Sequence, residues 1–332
     1  MSSCKQGNII MLIETKGFKK TFKARGETVE AVKGVDLSVA EGEIFGLLGP
    51  NGAGKTTTMR MLSTLLEPSA GEAKVVGHDL RKNAEAVRRD IGYVGQHGGT
   101  WGDVSARDEL IMQARIYGMS KAQARERAAE LLDLFQLSEY GDRRTKTYSG
   151  GQRRRLDIAL GVVHRPKLLF LDEPTTGLDP QSRAHMWDEV QGLREGGTGI
   201  FITTHYLDEA DVLCDRMAIV DHGEIVVEGT PRSLKHDVAG DVVSVGVNGQ
   251  AAEAEDILTG QEFVREVERK EADPTTGISE IRLYVEDGAE AVPTMLRLLD
   301  KADIAPASIE LHRPSLDDVF LKQTGRSLRE GK

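Results

Sequence analysis

Two cysteines in 332 residues, Cys4 and Cys214, are too few for a disulfide framework and offer no zinc-binding spacing. A reducing cytosol is the compartment such a chain suits. Basic charge is scarce relative to acid: 43 Lys and Arg against 53 Asp and Glu give a net charge of −10. Sequence-independent nucleic-acid binding relies on a basic face, so this balance counts against it. Long apolar runs are missing as well. Nothing approaches the roughly 18 residues needed to span a bilayer, and the longest stretches, Leu168–Leu171 and Ile158–Val163, are core-sized. The start of the chain is short and polar, without the apolar stretch of a secretory signal, and Ile9–Ile13 reads as the beginning of a strand. Residues 1–8 are expected to be disordered. Any membrane role must come through a partner.

What is present is a phosphate cradle. Gly49-Pro50-Asn51-Gly52-Ala53-Gly54-Lys55-Thr56-Thr57 fits G-x-x-x-x-G-K-[ST]. Its glycines let successive backbone N–H groups wrap phosphates, Lys55 reaches the outer ones, and the Thr56 hydroxyl sits on Mg²⁺. The context agrees: Glu43–Leu48 is a short buried-strand run, and Thr57–Leu66 reads as a helix. That helix points its partial positive charge at the anion. The cradle implies ATP or GTP.

Around the cradle the chain alternates strands and helices. Strand signals fall at Ile9–Thr15, Val29–Val32, Val35–Val39, Val75–Val76 and Ile91–Gly95. Helical stretches follow at Val104–Tyr117, with a Ser105-x-x-Asp108 start, and at Ser120–Phe135, with a Ser120-x-x-Gln123 capping box. Ala124, Ala128, Leu131 and Phe135 form one stripe of the second, most simply core packing. Strand Lys167–Leu171, a loop and helix, strand Gly199–Thr203, helix Leu207–Leu213, and a hairpin of Met217–Val220 with Ile225–Glu228 complete the unit. This pattern predicts an α/β fold with a largely parallel sheet. After about residue 238 the texture becomes βαββαβ, the order of a ferredoxin-like unit, followed by an amphipathic helix at Ser315–Thr324. The tail carries no catalytic constellation; it is either an extra structural domain or a dimerisation or regulatory module.

Two further segments bear on phosphate chemistry. Leu168-Leu-Phe-Leu-Asp172-Glu173-Pro174 is an apolar strand ending in adjacent carboxylates. Beside a cradle, Asp172 can hold Mg²⁺ through its water shell and Glu173 can polarise an attacking water. Tyr148-Ser149-Gly150-Gly151-Gln152 opens a helix from Arg153 to Val163, so Ser149 and the glycine amides form a second anion-binding helix end. Two such ends on one chain do not easily face one phosphate.

These segments resemble, in order, the motifs of ATP-binding cassette (ABC) ATPases. Gly49–Thr56 matches the Walker A motif, Leu168–Asp172 the Walker B and Ser149–Gln152 the signature. Gln96 fits the Q-loop, Thr176–Asp179 the D-loop, His205 the H-loop histidine, and Phe22 the aromatic that stacks on adenine. The likeness covers roughly residues 10–235, departing at Tyr148, where leucine is commonest, with little effect expected. It implies an ABC-type P-loop domain over residues 9–237, with a helical subdomain near 97–165, and an accessory or dimerisation domain over 238–332. It also implies a head-to-tail, ATP-dependent dimer of two copies, each ATP lying between Walker A of one and the signature of the other. Glu173 is then the catalytic base, with His205 at the γ-phosphate; Lys55 contacts phosphate, and Gln96, Thr56 and Asp172 attend Mg²⁺. Gln96 also links to a membrane partner, and Asp179 joins the nucleotide contacts.

With one cassette and no membrane segment, the resemblance points to the ATPase subunit of a transporter whose permease is a separate integral-membrane polypeptide. Such a subunit is cytoplasmic and peripheral on the inner face of the membrane. Arg313–Leu321 and Thr324-Gly325 resemble the tail of bacterial daunorubicin-resistance export ATPases, implying efflux of a drug or hydrophobic compound. The alternatives are an importer ATPase, or a soluble ABC protein acting on DNA or the ribosome. The latter types carry fused cassettes, a coiled-coil insertion or zinc modules, none of which is visible here, and nucleic acid is not an expected partner.

Overall fold

The computed structural model describes residues 10–24, 27–270 and 278–325; the expected N-terminal disorder lies outside them, and so does the Asp273-Pro-Thr-Thr-Gly277 run, whose composition reads as a loop between two strands of the tail. The chain divides into two units, Met1–Gly229 and Thr230–Lys332. The sequence reading puts the division at 237/238. The shift arises because helix Pro231–Ala239, which that reading does not contain, packs on helix Leu316–Thr324 within the second unit.

The first unit is organised by a six-stranded sheet. In spatial order its strands are Glu224–Gly229, Arg216–Asp221, Ile44–Leu48, Gly199–Thr204, Leu168–Asp172 and Ile91–Val94. Neighbours run parallel except at the Glu224–Gly229 edge, which is antiparallel. Strands Ile44–Leu48, Gly199–Thr204 and Leu168–Asp172 are buried at every residue. That is why they read as continuous apolar runs and not as alternation. Register then does the positioning. Leu48 lies opposite Thr204, Asp172 opposite Thr203, and Val94 opposite Leu171. The residues just past these strands, Gly49, His205, Glu173 and the Gly95-Gln96 pair, therefore emerge along one edge. In open parallel sheets that carboxyl edge is where ligands bind.

A second, antiparallel sheet joins Glu27–Val35, Met11–Ala24, Ala70–Val75 and His78–Asp79, with Ser38–Ala40 also on Met11–Ala24. Here the first strand runs to Ala24, past the expected end at Thr15. It continues through Gly17, at φ 57, and through register shifts at Phe18/Lys19 and Lys20/Thr21. Such shifts bend a strand and break the alternation that reveals it. The helices begin where side chains cap them. Ser105 accepts from Asp108 N ahead of Ala106–Ile116, and Ser120 with Gln123 forms a capping box ahead of Lys121–Leu134. Ala124, Ala128, Leu131 and Phe135 are buried.

The second unit is ferredoxin-like. Its antiparallel sheet runs Val264–Lys270, Ile278–Val285, Asp241–Asn248, Pro306–His312, and helices Ala251–Thr259 and Gly288–Lys301 complete it. Alternate residues Val243, Val245, Val247, Ile281, Leu283 and Val285 share a buried core with Leu258, Met295 and Leu299 from those helices. The unit thus has an apolar core of its own.

Candidate nucleotide-binding and catalytic site

The cradle is held open by backbone that only glycine takes easily. Gly52 and Gly54 sit at φ 82 and 105, and a Cβ on Gly54 would lie 2.5 Å from Ala31 O. Gly54 is also the N-cap of helix Lys55–Leu62; no side chain caps that helix, and no acid lies in its first turn. Its leading N–H groups and positive dipole end therefore face the cradle without a capping side chain of the helix's own. Gly49 N donates to Thr204 O, and Ala53 N to Pro50 O, which tie the loop to the sheet and to itself. Pro50, Asn51, Gly52, Gly54, Lys55, Thr56 and Thr57 line a cavity of about 380 Å³ together with Gln96 and Glu173.

Lys55 is 4% exposed. Its Nζ donates to Gly49 O at 2.7 Å and Pro50 O at 3.1 Å, and lies 3.4 Å from Glu173 Oε1. Burial lowers the pKa of this ammonium, opposed by Glu173 and Asp172. A buried cation so placed is ready for a polyanion, whose charge replaces that of the carboxylates.

Glu173 is the hub. Gln96 Nε2 donates to its Oε2 at 3.0 Å and Thr176 Oγ1 to the same oxygen at 3.3 Å. His205 Nδ1 stands 3.3 Å from Oε2, an ion-pair distance without hydrogen-bond alignment. The His205 ring first, and then the Lys55 ammonium, hold the carboxyl below the usual carboxylate range against the effect of burial. Its backbone sits at φ 44, a conformation uncommon for a side chain this large and typical of functional sites. Glu173 N donates to Thr203 O and Thr203 Oγ1, both at 3.1 Å, which fixes that turn.

Asp172 lies behind Thr56. Its Oδ1 accepts from Thr56 Oγ1 at 2.9 Å and from Thr203 Oγ1 at 2.7 Å. Its Oδ2 is buried without a hydrogen-bond partner. A buried carboxylate oxygen left unpaired is costly, and a divalent cation beside the Thr56 hydroxyl is a partner of the right chemistry. The residues present fit Mg²⁺.

The remaining sequence-predicted residues are not at this cavity. Ser149, Gly151 and Gln152 line a separate groove with Tyr140, Arg155 and Ser182. Ser149 caps helix Gly150–Gly161 in a full capping box with Gln152. Asp179 caps the next helix, Pro180–Glu195, and binds Ser182, whose Oγ comes close to Gly151. Asp179 thus falls on the signature side. Phe22 is 39% exposed on strand Met11–Ala24, with Lys20 Nζ 5.2 Å above its ring, and does not line the cavity. Tyr148, in the place of the commoner leucine, is buried and donates to Tyr140 O at 2.6 Å. Sequence reasoning missed Thr203 and Arg154. The first acts through cross-strand register, and the second hides in the run Arg153–Arg155, which reads as a solvated face.

The ABC transporter family profile matches residues 32–176, and the C-terminal domain of DrrA1-3-like ATP-binding proteins matches residues 229–324. The daunorubicin/doxorubicin resistance ATP-binding protein DrrA of Streptomyces peucetius is 44% identical over 315 residues, covering 94% of this chain and 92% of that one. The Nod factor export ATP-binding protein I of Paraburkholderia xenovorans is 38% identical over 315 residues, covering 94% and 98%. Among solved structures, a dimeric ATP-binding cassette in a post-hydrolysis state with ADP and Pi superposes at TM-score 0.61 and 27% identity, over 66% of this chain and 98% of that one.

Proposed function

The chain belongs to the ATP-binding subunits of ABC transporters, in the daunorubicin-resistance group, and from that premise we propose how its residues divide the work of one exporter stroke. It is an ATPase that energises export. The cargo is a drug or hydrophobic compound, and it crosses through a separate integral-membrane permease. No helix among the described residues is long and apolar enough to cross a membrane. The chain is placed at the cytoplasmic face, peripheral to the membrane that holds the permease. The importer and nucleic-acid alternatives draw no support from the named relatives.

The observation that carries the reading is the convergence of Lys55, Gln96 and His205 on the Glu173 carboxylate beside a phosphate cradle. Lys55 and the amides of Gly52–Thr57 bind the phosphates of ATP. Thr56 and Asp172 would hold Mg²⁺, which would neutralise charge on the phosphate oxygens. Glu173, kept ionised by its neighbours, orients the attacking water and accepts its proton. Gln96 holds Glu173 in place, and His205 donates to the γ-phosphate. Ser149, Gly150, Gly151, Gln152 and Asp179 stand away from this cavity, so they serve the nucleotide of a second copy, packed head to tail. Phe22, exposed and outside the phosphate cavity, is assigned to the adenine.

The test is ATP turnover of the wild type and of Glu173→Gln, each run on a sizing column with Mg-ATP. The amide keeps the shape and loses the base, so ATP still binds, turnover falls on the order of a hundredfold or more, and a dimer accumulates. A monomeric Glu173→Gln protein with wild-type turnover would overturn the assignment.

A further inference from the structure

Arg154 is the middle of three consecutive arginines at the start of helix Gly150–Gly161, yet it is only 7% exposed. A guanidinium this buried needs partners for its donors. It finds three backbone carbonyls. Nε donates to Pro174 O at 2.7 Å, one amino group to Gly95 O at 2.6 Å, and the other to Asp172 O at 3.1 Å. Two of these carbonyls flank Glu173, and the third immediately precedes Gln96. Asp157, three residues on and equally buried, accepts from Gly99 N at 2.9 Å. Gly98, at φ 72, lets that approach happen, since a Cβ there would lie 2.5 Å from Asp157 Oδ2. One helix therefore grips both ends of the turn that carries Gln96, and both sides of the residue Gln96 bonds.

We infer that Arg154 is a positioning residue: a rigid fork through which the Ser149–Gln152 end of its helix sets the geometry of Gln96 and Glu173 in the same chain. The inference rests on the two-copy site proposed above. There the helix start meets the second copy's nucleotide, while Gln96 and Glu173 act on the chain's own. The fork thus makes hydrolysis at one nucleotide depend on occupancy of the other. Arginine suits this task because its five donors lie in one plane, and three carbonyls in different directions can be held at once. Asp157, Asp172 and Glu209 supply the neighbouring negative charge.

The experiment uses the full chain and compares wild type, Arg154→Lys and Arg154→Met for ATP affinity, turnover against ATP concentration, and melting temperature. Lysine keeps the buried charge but not the planar fork, so it guards against simple misfolding. For Arg154→Lys the ATP Kd stays within about threefold while kcat falls on the order of ten- to a hundredfold, the effect of a small misplacement of catalytic groups. The Hill coefficient falls from above one to one. Arg154→Met shows the same split more strongly. An Arg154→Lys enzyme with wild-type turnover and cooperativity overturns the inference. So does a rise of Kd in parallel with the fall of kcat and melting temperature, which marks a merely structural arginine. A wild type that is itself non-cooperative counts against the two-copy reading, and the kcat arm alone then decides the fork.

Discussion

At the scale of single residues, the site is built from pairs that no contiguous stretch of sequence contains. Thr203 is the clearest case. Its hydroxyl donates to Asp172 Oδ1 and accepts from Glu173 N, so it serves both adjacent carboxylate residues from the neighbouring strand. Thr203→Val keeps the volume and deletes both bonds, leaving a buried acceptor short of a donor and a buried N–H with Thr203 O alone. A net hydrogen bond contributes about 0.5–1.5 kcal/mol, and more to a charged acceptor, so losing these two should show as about 1–3 kcal/mol in unfolding by urea, with turnover falling on the order of tenfold. Unchanged stability and turnover would remove Thr203 from the site. Gly49–Thr56 and Asp172-Glu173 were legible because each is continuous and chemically unusual. Thr203 was not, since its role follows from the pairing of Asp172 with Thr203 across two parallel strands. Arg154 was hidden for a different reason: composition cannot tell which of three consecutive arginines turns inward.

At the scale of elements, helix starts and buried strands were readable and their partners were not. Ser120-x-x-Gln123 and Ser149-x-x-Gln152 form the boxes their spacing announces, because a cap is local chemistry. Helix Pro231–Ala239 escaped detection because Thr230-Pro231 reads as an ending, although proline at the first helical position is favourable. The contact between helices Gly150–Gly161 and Pro180–Glu195 is also tertiary. It includes Arg155 and Glu189, 3.1 Å apart. Burial pushes the Glu189 carboxyl from 4.5 up to about 7, against the pull of Arg155. The folded chain therefore binds a proton more tightly than the unfolded one between those values. Its contribution to stability is present at low pH and is lost as pH rises through about 7, by up to about 3 kcal/mol. Glu189→Gln does not titrate. The melting temperature of the wild type minus that of Glu189→Gln should fall from about pH 4.5 to about pH 7 and level off above that. A difference that stays flat, or rises, would show the carboxylate to be ionised throughout.

At the scale of the whole molecule, the residues of the phosphate site fall within one unit, and each unit has a core of its own. Those that line the cavity lie between Ala31 and Glu173, with His205 beside them, all inside Met1–Gly229. The ferredoxin-like core of Thr230–Lys332 contributes none of them. Both tryptophans, Trp101 and Trp187, also belong to the first unit. Tryptophan fluorescence therefore follows the unfolding of the nucleotide-binding unit alone. A ligand that binds only the folded form stabilises it by about 2.7 kcal/mol at a hundred times its Kd. In the full chain, the fluorescence transition should move upward with Mg-ATP. A chain ending at Gly229 should show the same displacement and an ATP Kd within about twofold of the full chain, because every phosphate contact is retained. If the shortened chain folds but its transition no longer responds to ATP, the second unit takes part in nucleotide binding. Its assignment as an accessory or dimerisation domain would then be wrong.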